Sequence, residues 1–463
     1  MRTLSRLTLR LPRPKDTNVP RHPRRSFTVV MTLTLALGGA ALPLAGSASA
    51  TVPACEPTAH DRPVCPADAP AEEASFLDPT AKVTSPRNVD LEAQVYVAPF
   101  AQLLASGRAG IHIGPESNVQ DNVIVTAAVS RRASERTALE AVELTADSGV
   151  TTGERVILAH GSSVRGPARL GVEEEGAPPL ANDSGVFISF GARVDGAVIE
   201  RDSGLSALSR VGPGVRLHSG FIVLPGKNVT TQAQADDPAL GKVRPIVETD
   251  RAFNAGVVEV NVGLAREYSK LAREDARAVR GINIDPGGNV FDKERDAPSV
   301  ESALCTGPSV REPDFRNRII GDACFEDSLD ELGEKMGERT SLRADEGGPF
   351  GLGTIKDMGN GVIFHALEGT DLRVGNDVTY GDRAIVHGGG RPAVDPTTGL
   401  AAPTLVGNRV EIGTDAVVFR ALVRNDVTIG DRSLVVGSEL AKGQTIPDRT
   451  IYANNEVFGP VEW

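Results

Sequence analysis

The sequence predicts a mainly β protein made of two tandem parallel β-helices of the hexapeptide-repeat type, with an α-helix after the first. Three observations predict it. Aliphatic residues recur six apart, as in Val417, Val423, Ile429 and Val435, and again in Val406, Ile412 and Val418. That repeat occurs in two blocks. Aromatic residues make up only 4% of the chain while glycine is abundant at 49, which suits a narrow shaft filled by Val, Ile and Leu. Each hexapeptide makes one short flat face, three faces close a triangular coil, and coils stack on their neighbours.

The first 50 residues are basic, then apolar in "FTVVMTLTLALGGAALPLAG", and end in Ala48, Ser49 and Ala50. They read as a signal peptide, exported through the Sec or, given Arg24 and Arg25, the twin-arginine route. Residues 51–88 form an N-terminal segment. Repeats such as "IHIGPESNVQDNVIV" (111–125) and "VFISFGARVDGAVI" (186–199) belong to a first domain, 89–280. Its end, "VVEVNVGLAREYSKLAREDARAV" (257–279), carries apolar residues at helical spacing and reads as an amphipathic helix. Residues 281–330 read as a linker and 331–463 as the second domain. Segments 130–154 and 388–403 read as loops projecting from the coils.

The chain holds 49 Lys+Arg and 61 Asp+Glu; without the signal region 41 and 60 remain, near −19. That balance argues against nucleic acid and anionic lipid as partners. No later segment is apolar enough for a stable membrane span. Cysteines fall into two close pairs, Cys55/Cys65 and Cys305/Cys324, read in an exported protein as local disulfides.

The blocks align on each other. "IHIGPESNVQDNVIVTAAV" (111–129) matches "GLGTIKDMGNGVIFHALEG" (351–369), and "VILAHGSSVRGPARLG" (156–171) matches "VTYGDRAIVHGGG" (378–390). Thr126 then stands at the position of His365, Arg165 at that of His387, and Asp382 at that of His160. The first block supplies one histidine and the second supplies two, the number of protein ligands a catalytic zinc takes. His22 lies in the signal region, and His60, His112 and His218 have no partner motif.

On the segments "SNVQD", "LAHG", "RGPA" and "VEVNVGLAREYSK" of the first block, and "LRADEGGP", "VIFHALE" and "VHG" of the second, both blocks resemble the γ-class carbonic anhydrases. The resemblance covers nearly all of the chain after the signal region. It implies left-handed β-helices, a homo-oligomer, trimer-based in the family's manner, and hydration of carbon dioxide to bicarbonate at a metal, Zn2+ or alternatively Fe2+. Ligands by resemblance are His160, His365 and His387, from two adjacent domains. Glu368 matches the proton shuttle. Glu346 and Gln120 match residues that orient the attacking water, Asn118 and Asn261 match substrate-side donors, and Arg343 and Asp345 match a pair that ties adjacent domains. Asp357 and Gly359 of the second block replace the asparagine and glutamine. Leu104, Ser106, Gly107 and Val129 of the first replace the arginine, aspartate and two glutamates. The halves thus complement each other in one composite site. A rival site would join His365 and His387 to a neighbouring copy's Asp382, a two-His-one-carboxylate set. The other readings are a structural or assembly homologue without turnover, and a hexapeptide-repeat acyltransferase.

Overall fold

The structure, a computed structural model, describes residues 56–57, 63–64, 74–107, 109–127, 149–173, 185–274, 317–321, 323–345, 350–366, 372–389, 391 and 402–463. The signal region, Cys55, Cys65 and Cys305, and most of both expected loops lie outside the described residues.

The chain forms two tandem left-handed parallel β-helices. Three sheets, of eight, seven and six strands, enclose the first shaft, and three more, of eight, six and five, enclose the second. Stacking is parallel apart from the antiparallel end strands Val243–Pro245 and Glu456–Pro460, and most rungs are in register. On one face of the first β-helix the strands Gln102–Leu104, Ile124–Thr126, Ser163–Arg165 and Arg193–Asp195 lie one above another. Their middle residues, Leu103, Val125, Val164 and Val194, point into the core. Val362, Val386, Val410 and Val427 are among those that fill the second shaft. The coils begin upstream of the expected boundaries. Phe76–Leu77 already pairs with Tyr96–Val97, and Arg318–Gly321 with Ser341–Ala344.

Corners bring one residue per turn into the left-handed region. Asp426 and Arg432, six apart, have φ of 63° and 53°. An L residue there is strained, and hydrogen bonds between coils offset the cost. Along one edge Asn376 N donates to Asn408 Oδ1 at 2.7 Å, and Asn408 N donates to Asn425 Oδ1 at 2.9 Å. The residue before Asn376 and before Asn408 is glycine because there is no room for more. A Cβ on Gly375 would sit 2.3 Å from Asn408 Oδ1.

The helix runs Glu248–Glu274, so it begins nine residues before the expected start. Asp250 caps the first turn by accepting a hydrogen bond from Val247 N at 2.9 Å. That first turn, Glu248 to Arg251, is polar, so apolar periodicity does not register where the helix starts. Residues 275–279 lie outside the described residues. Among the described residues no helix is long and apolar enough to cross a membrane.

The two β-helices dock face to face. Outward Ile157 and Phe187 of the first meet Ile363, Ile385, Val417, Leu434 and Ile451 of the second, with Val258 of the helix joining the same cluster. Each such side chain contributes about 1.5–3 kcal/mol on full burial. Leu264, Ala265 and Tyr268 of the helix pack with Phe76, Tyr96 and Ile320. Polar contacts pin the seam towards both ends. Arg318 of the second β-helix reaches buried Asp78 of the first at 2.8 Å. Trp463 Nε1 donates to Leu208 O at 2.7 Å, and Arg193 and Arg432 lie over the Trp463 ring.

Candidate metal centre

The histidines meet where two columns of side chains interlock. On the docking face of the second β-helix, Arg343, His365, His387 and Phe419 occupy successive rungs in register. At a corner of the first, Asp121, His160 and Phe190 occupy successive coils: Gly161 N donates to Asp121 O and Gly191 N to His160 O. Across the seam Arg343 faces Asp121, with Nη1 donating to Oδ2 at 2.7 Å. His160 faces His365, with Nε2 3.0 Å from Nδ1. Phe190 faces His387 and Phe419, with ring centroids at 4.8 and 5.3 Å.

One ring nitrogen from each of His160, His365 and His387 falls within 4.8 Å of the others, and all three residues are buried. The donor set fits one divalent cation. His160 has Nδ1 3.0 Å from Asp121 Oδ2, which turns Nε2 toward the other imidazoles. His387 has Nδ1 3.2 Å from Gly388 O, an N–H donor position that leaves Nε2 as its ligand atom. Metal-binding histidines are held in this way, by a carboxylate or carbonyl at the other nitrogen. Burial lowers the pKa of His160, although Asp121 opposes it, and lowers that of His387 further, assisted by the neighbouring imidazoles. Both effects favour the neutral form that ligates a metal.

Asp121 is the charge behind this arrangement. Burial alone would raise its pKa, but the Arg343 guanidinium and then His160 outweigh that and hold its carboxyl well below the usual range. Ser341 Oγ also donates to Asp121 Oδ1. Asp345 Oδ2 accepts from Arg343 Nε and Nη2 at 3.1 and 2.9 Å and from the Tyr268 hydroxyl at 2.5 Å. Its Oδ1 lies 3.8 Å from His365 Nε2. Arg343 therefore pairs with Asp345 inside its own β-helix and with Asp121 across the seam.

Other expected residues divide. Gln120 is buried, and its Oε1 accepts from His160 N at 3.2 Å. Asn118 is fully buried with neither amide atom partnered among the described residues, an arrangement that calls for a ligand or water. Asn261 is buried, and its Nδ2 donates to Val257 O of its own helix at 2.8 Å. Glu346 and Glu368 lie outside the described residues. Sequence reasoning gave no role to Asp121, Tyr268, Phe190 or Phe419. Asp121 lay next to Gln120 in "SNVQD", but only stacking puts it one coil before His160.

No family profile matches the chain. Over 222 residues it is 31% identical to a curated carbonic anhydrase from Methanosarcina thermophila, covering 46% of this chain and 82% of that protein. The chain belongs to the γ-class carbonic anhydrase family. It is also 27% identical to the carboxysome assembly protein CcmM of a Nostoc species, over 50% of this chain and 36% of that protein. Similar solved structures include a hexapeptide transferase family protein from Anaplasma phagocytophilum, at 16% identity and a TM-score of 0.21, covering 42% of this chain and 92% of that one. A UDP-N-acetylglucosamine O-acyltransferase from Moraxella catarrhalis follows at 8% identity and 0.12, covering 83% and 75%.

Within this γ-class chain the stacking agrees with the alignment of the two blocks. Thr126 and Arg165 are paired in register on the first β-helix, as His365 and His387 are on the second. Asp382 follows the strand Val378–Tyr380 by two positions, as His160 follows Val156–Leu158. Asp382 has a local task, because its Oδ1 accepts from Asn360 N at 2.8 Å in the ladder along one edge.

Proposed function

We propose that this member of the γ-class family is a metal-dependent carbonic anhydrase, hydrating carbon dioxide reversibly to bicarbonate at a composite site between its two β-helices. The observation that carries the reading is the convergence of three buried imidazoles, one from the first β-helix and two from the second, with ring nitrogens within 4.8 Å. His160, His365 and His387 would hold the metal, with Zn2+ the first choice for a three-nitrogen set and Fe2+ the alternative. Bound there, zinc would lower the pKa of a water to about 7.

The chain's own residues then have separable tasks. Asp121 and Gly388 O fix the orientation of His160 and His387. Phe190 and Phe419 wall His387 with apolar surface, which suits an uncharged, linear substrate and keeps bulk water out. Gln120 and Asn118 offer amides close to the His160 coil, for the attacking water or the substrate oxygen. In this reading Glu346 orients the water, Glu368 carries the proton to solvent, Asn261 is a substrate-side donor, and residues 1–50 direct export. The Asp382 alternative is weaker, because Asp382 already accepts a backbone hydrogen bond in its own edge ladder.

Zinc content and carbon dioxide hydration, measured for the wild type, His365→Ala and His160→Ala, test the reading. It expects both variants to lose metal and activity together. Full metal and rate in His160→Ala would remove the composite site, and a zinc-loaded wild type without turnover would favour an assembly role.

A further inference from the structure

We infer that a single chain holds one complete metal site in cis, and that association of further copies adds none. This rests on the metal-site reading above and says where each ligand comes from and how many sites a chain can make. Three observations carry it.

All three histidines of one chain are already together, and the surfaces that bring them together are used up in doing so. Ile157, Ile363, Ile385 and Val417 are sealed in the seam. Asp121 and Arg343 are paired across it beside the histidines, and Asp78 and Arg318 are paired elsewhere along it. For His160 to meet another chain's His365 and His387, these buried pairs would have to separate. Opening the seam would also return its apolar side chains to water, which is strongly unfavourable.

Among the described residues, the other surfaces where a family-type site could form lack the matching histidines. On the first β-helix the rungs equivalent to His365 and His387 carry Thr126 and Arg165. Arg165 is exposed there, and a guanidinium does not deprotonate to ligate a cation. On the second β-helix the position equivalent to His160 is Asp382, which is engaged with Asn360.

Those two surfaces are also more polar than the docked seam. Arg165, Ser163 and Arg193 project from the first beside a single exposed isoleucine, Ile124, while Lys356, Asp357 and Glu411 project from the second. Neither repeats the row of isoleucine, valine and leucine that joins the two β-helices within the chain.

Complementation tests this with metal as the readout. Two differently tagged variants, His160→Ala and His387→Ala, are co-expressed, and complexes carrying both tags are isolated. Zinc content and the visible absorption of the Co2+-substituted protein are then measured, with His160→Gln and His387→Gln as a second pair and circular dichroism to establish folding. The expectation is one metal per wild-type chain at every protein concentration and no metal recovered in the mixed complexes. Failure of the two variants to co-purify gives the same answer, since no second chain is then present to donate a ligand. Recovery of metal in the mixed complexes, through swapped β-helices or contacts between chains, would overturn the inference while leaving the metal-site reading intact. A wild type that binds neither Zn2+ nor Co2+ would instead overturn that reading, and this inference with it.

Discussion

Asp121 Oδ2 accepts a hydrogen bond from Arg343 Nη1 at 2.7 Å and stands 3.0 Å from Nδ1 of His160. One carboxylate oxygen thus serves both the docking of the two β-helices and the orientation of a candidate ligand. Asp121→Asn keeps the shape and removes the charge. Loss of such an orienting partner costs about 10–100-fold in metal affinity. Competition for Zn2+ against a chromophoric chelator should show a weakening of that order. An unchanged affinity would mean that Asp121 serves docking only.

Arg343→Ala tests the docking half of the relationship. It leaves Asp121 and Asp345 buried without their shared guanidinium. Breaking a buried ion pair by removing one partner costs about 3–5 kcal/mol. Denaturant unfolding of the full chain should show a loss of that size. Arg343→Lys should recover only part, because one ammonium cannot reproduce the three hydrogen bonds that Arg343 makes to Asp121 and Asp345.

Much of this architecture was legible because each rung places one aliphatic residue in the shaft, and that periodicity survives in the sequence. Val211 and Val229, paired in register, are three hexapeptides apart. The division of the three histidines between the two β-helices was legible because the two blocks can be compared position by position. The columns were not. Val125 pairs with Val164 across an inserted segment, so counting in sixes fails there. Phe190 and Phe419 therefore could not be placed beside His387, nor Asp121 beneath His160. The polar first turn of the helix escaped for a different reason, since Asp250 closes it by capping and not by apolar spacing.

Phe190 stacks with His160, faces His387 and Phe419, and is buried in the seam. Phe190→Ala should therefore cost about 3–5 kcal/mol, the usual range for a large aromatic removed from a core. Phe190→Leu should cost clearly less. Thermal unfolding of both variants checks the order. A neutral Phe190→Ala would mean that the aromatic wall is not packed.

Asp415 makes stability depend on pH away from the metal centre. It accepts from Arg383 at 2.6 and 3.0 Å and from Arg432 at 3.2 Å, and Arg432 also donates to the Trp463 carbonyl. Burial raises its pKa, but the two arginines outweigh it, and the net shift is downward. A carboxylate with a lowered folded pKa stabilises fully above its unfolded value, near 3.9, and the contribution is lost as pH falls through the folded value. Asp415→Asn lacks that contribution. The stability difference between wild type and variant should be constant from neutral pH to about 5 and shrink below about 4. A difference that grows on acidification would contradict the assignment.

The same substitution should have opposite signs at two glycines. At Gly375 an added Cβ would lie 2.3 Å from Asn408 Oδ1 and 2.8 Å from the Gly407 carbonyl carbon. The backbone atom cannot swing away as a side chain could, so the edge ladder itself must move. Gly375→Ala should therefore destabilise by about 1–3 kcal/mol, the range for overpacking. At Gly256, exposed in the interior of the helix Glu248–Glu274, an added Cβ meets nothing within 4 Å. Gly256→Ala removes backbone freedom from the unfolded chain and should stabilise by about 0.5–1 kcal/mol. Unfolding midpoints of the two variants, measured side by side, should lie on opposite sides of the wild type. If Gly375→Ala is neutral, the asparagine edge is looser than its hydrogen bonds imply, and glycine is there for a reason other than space.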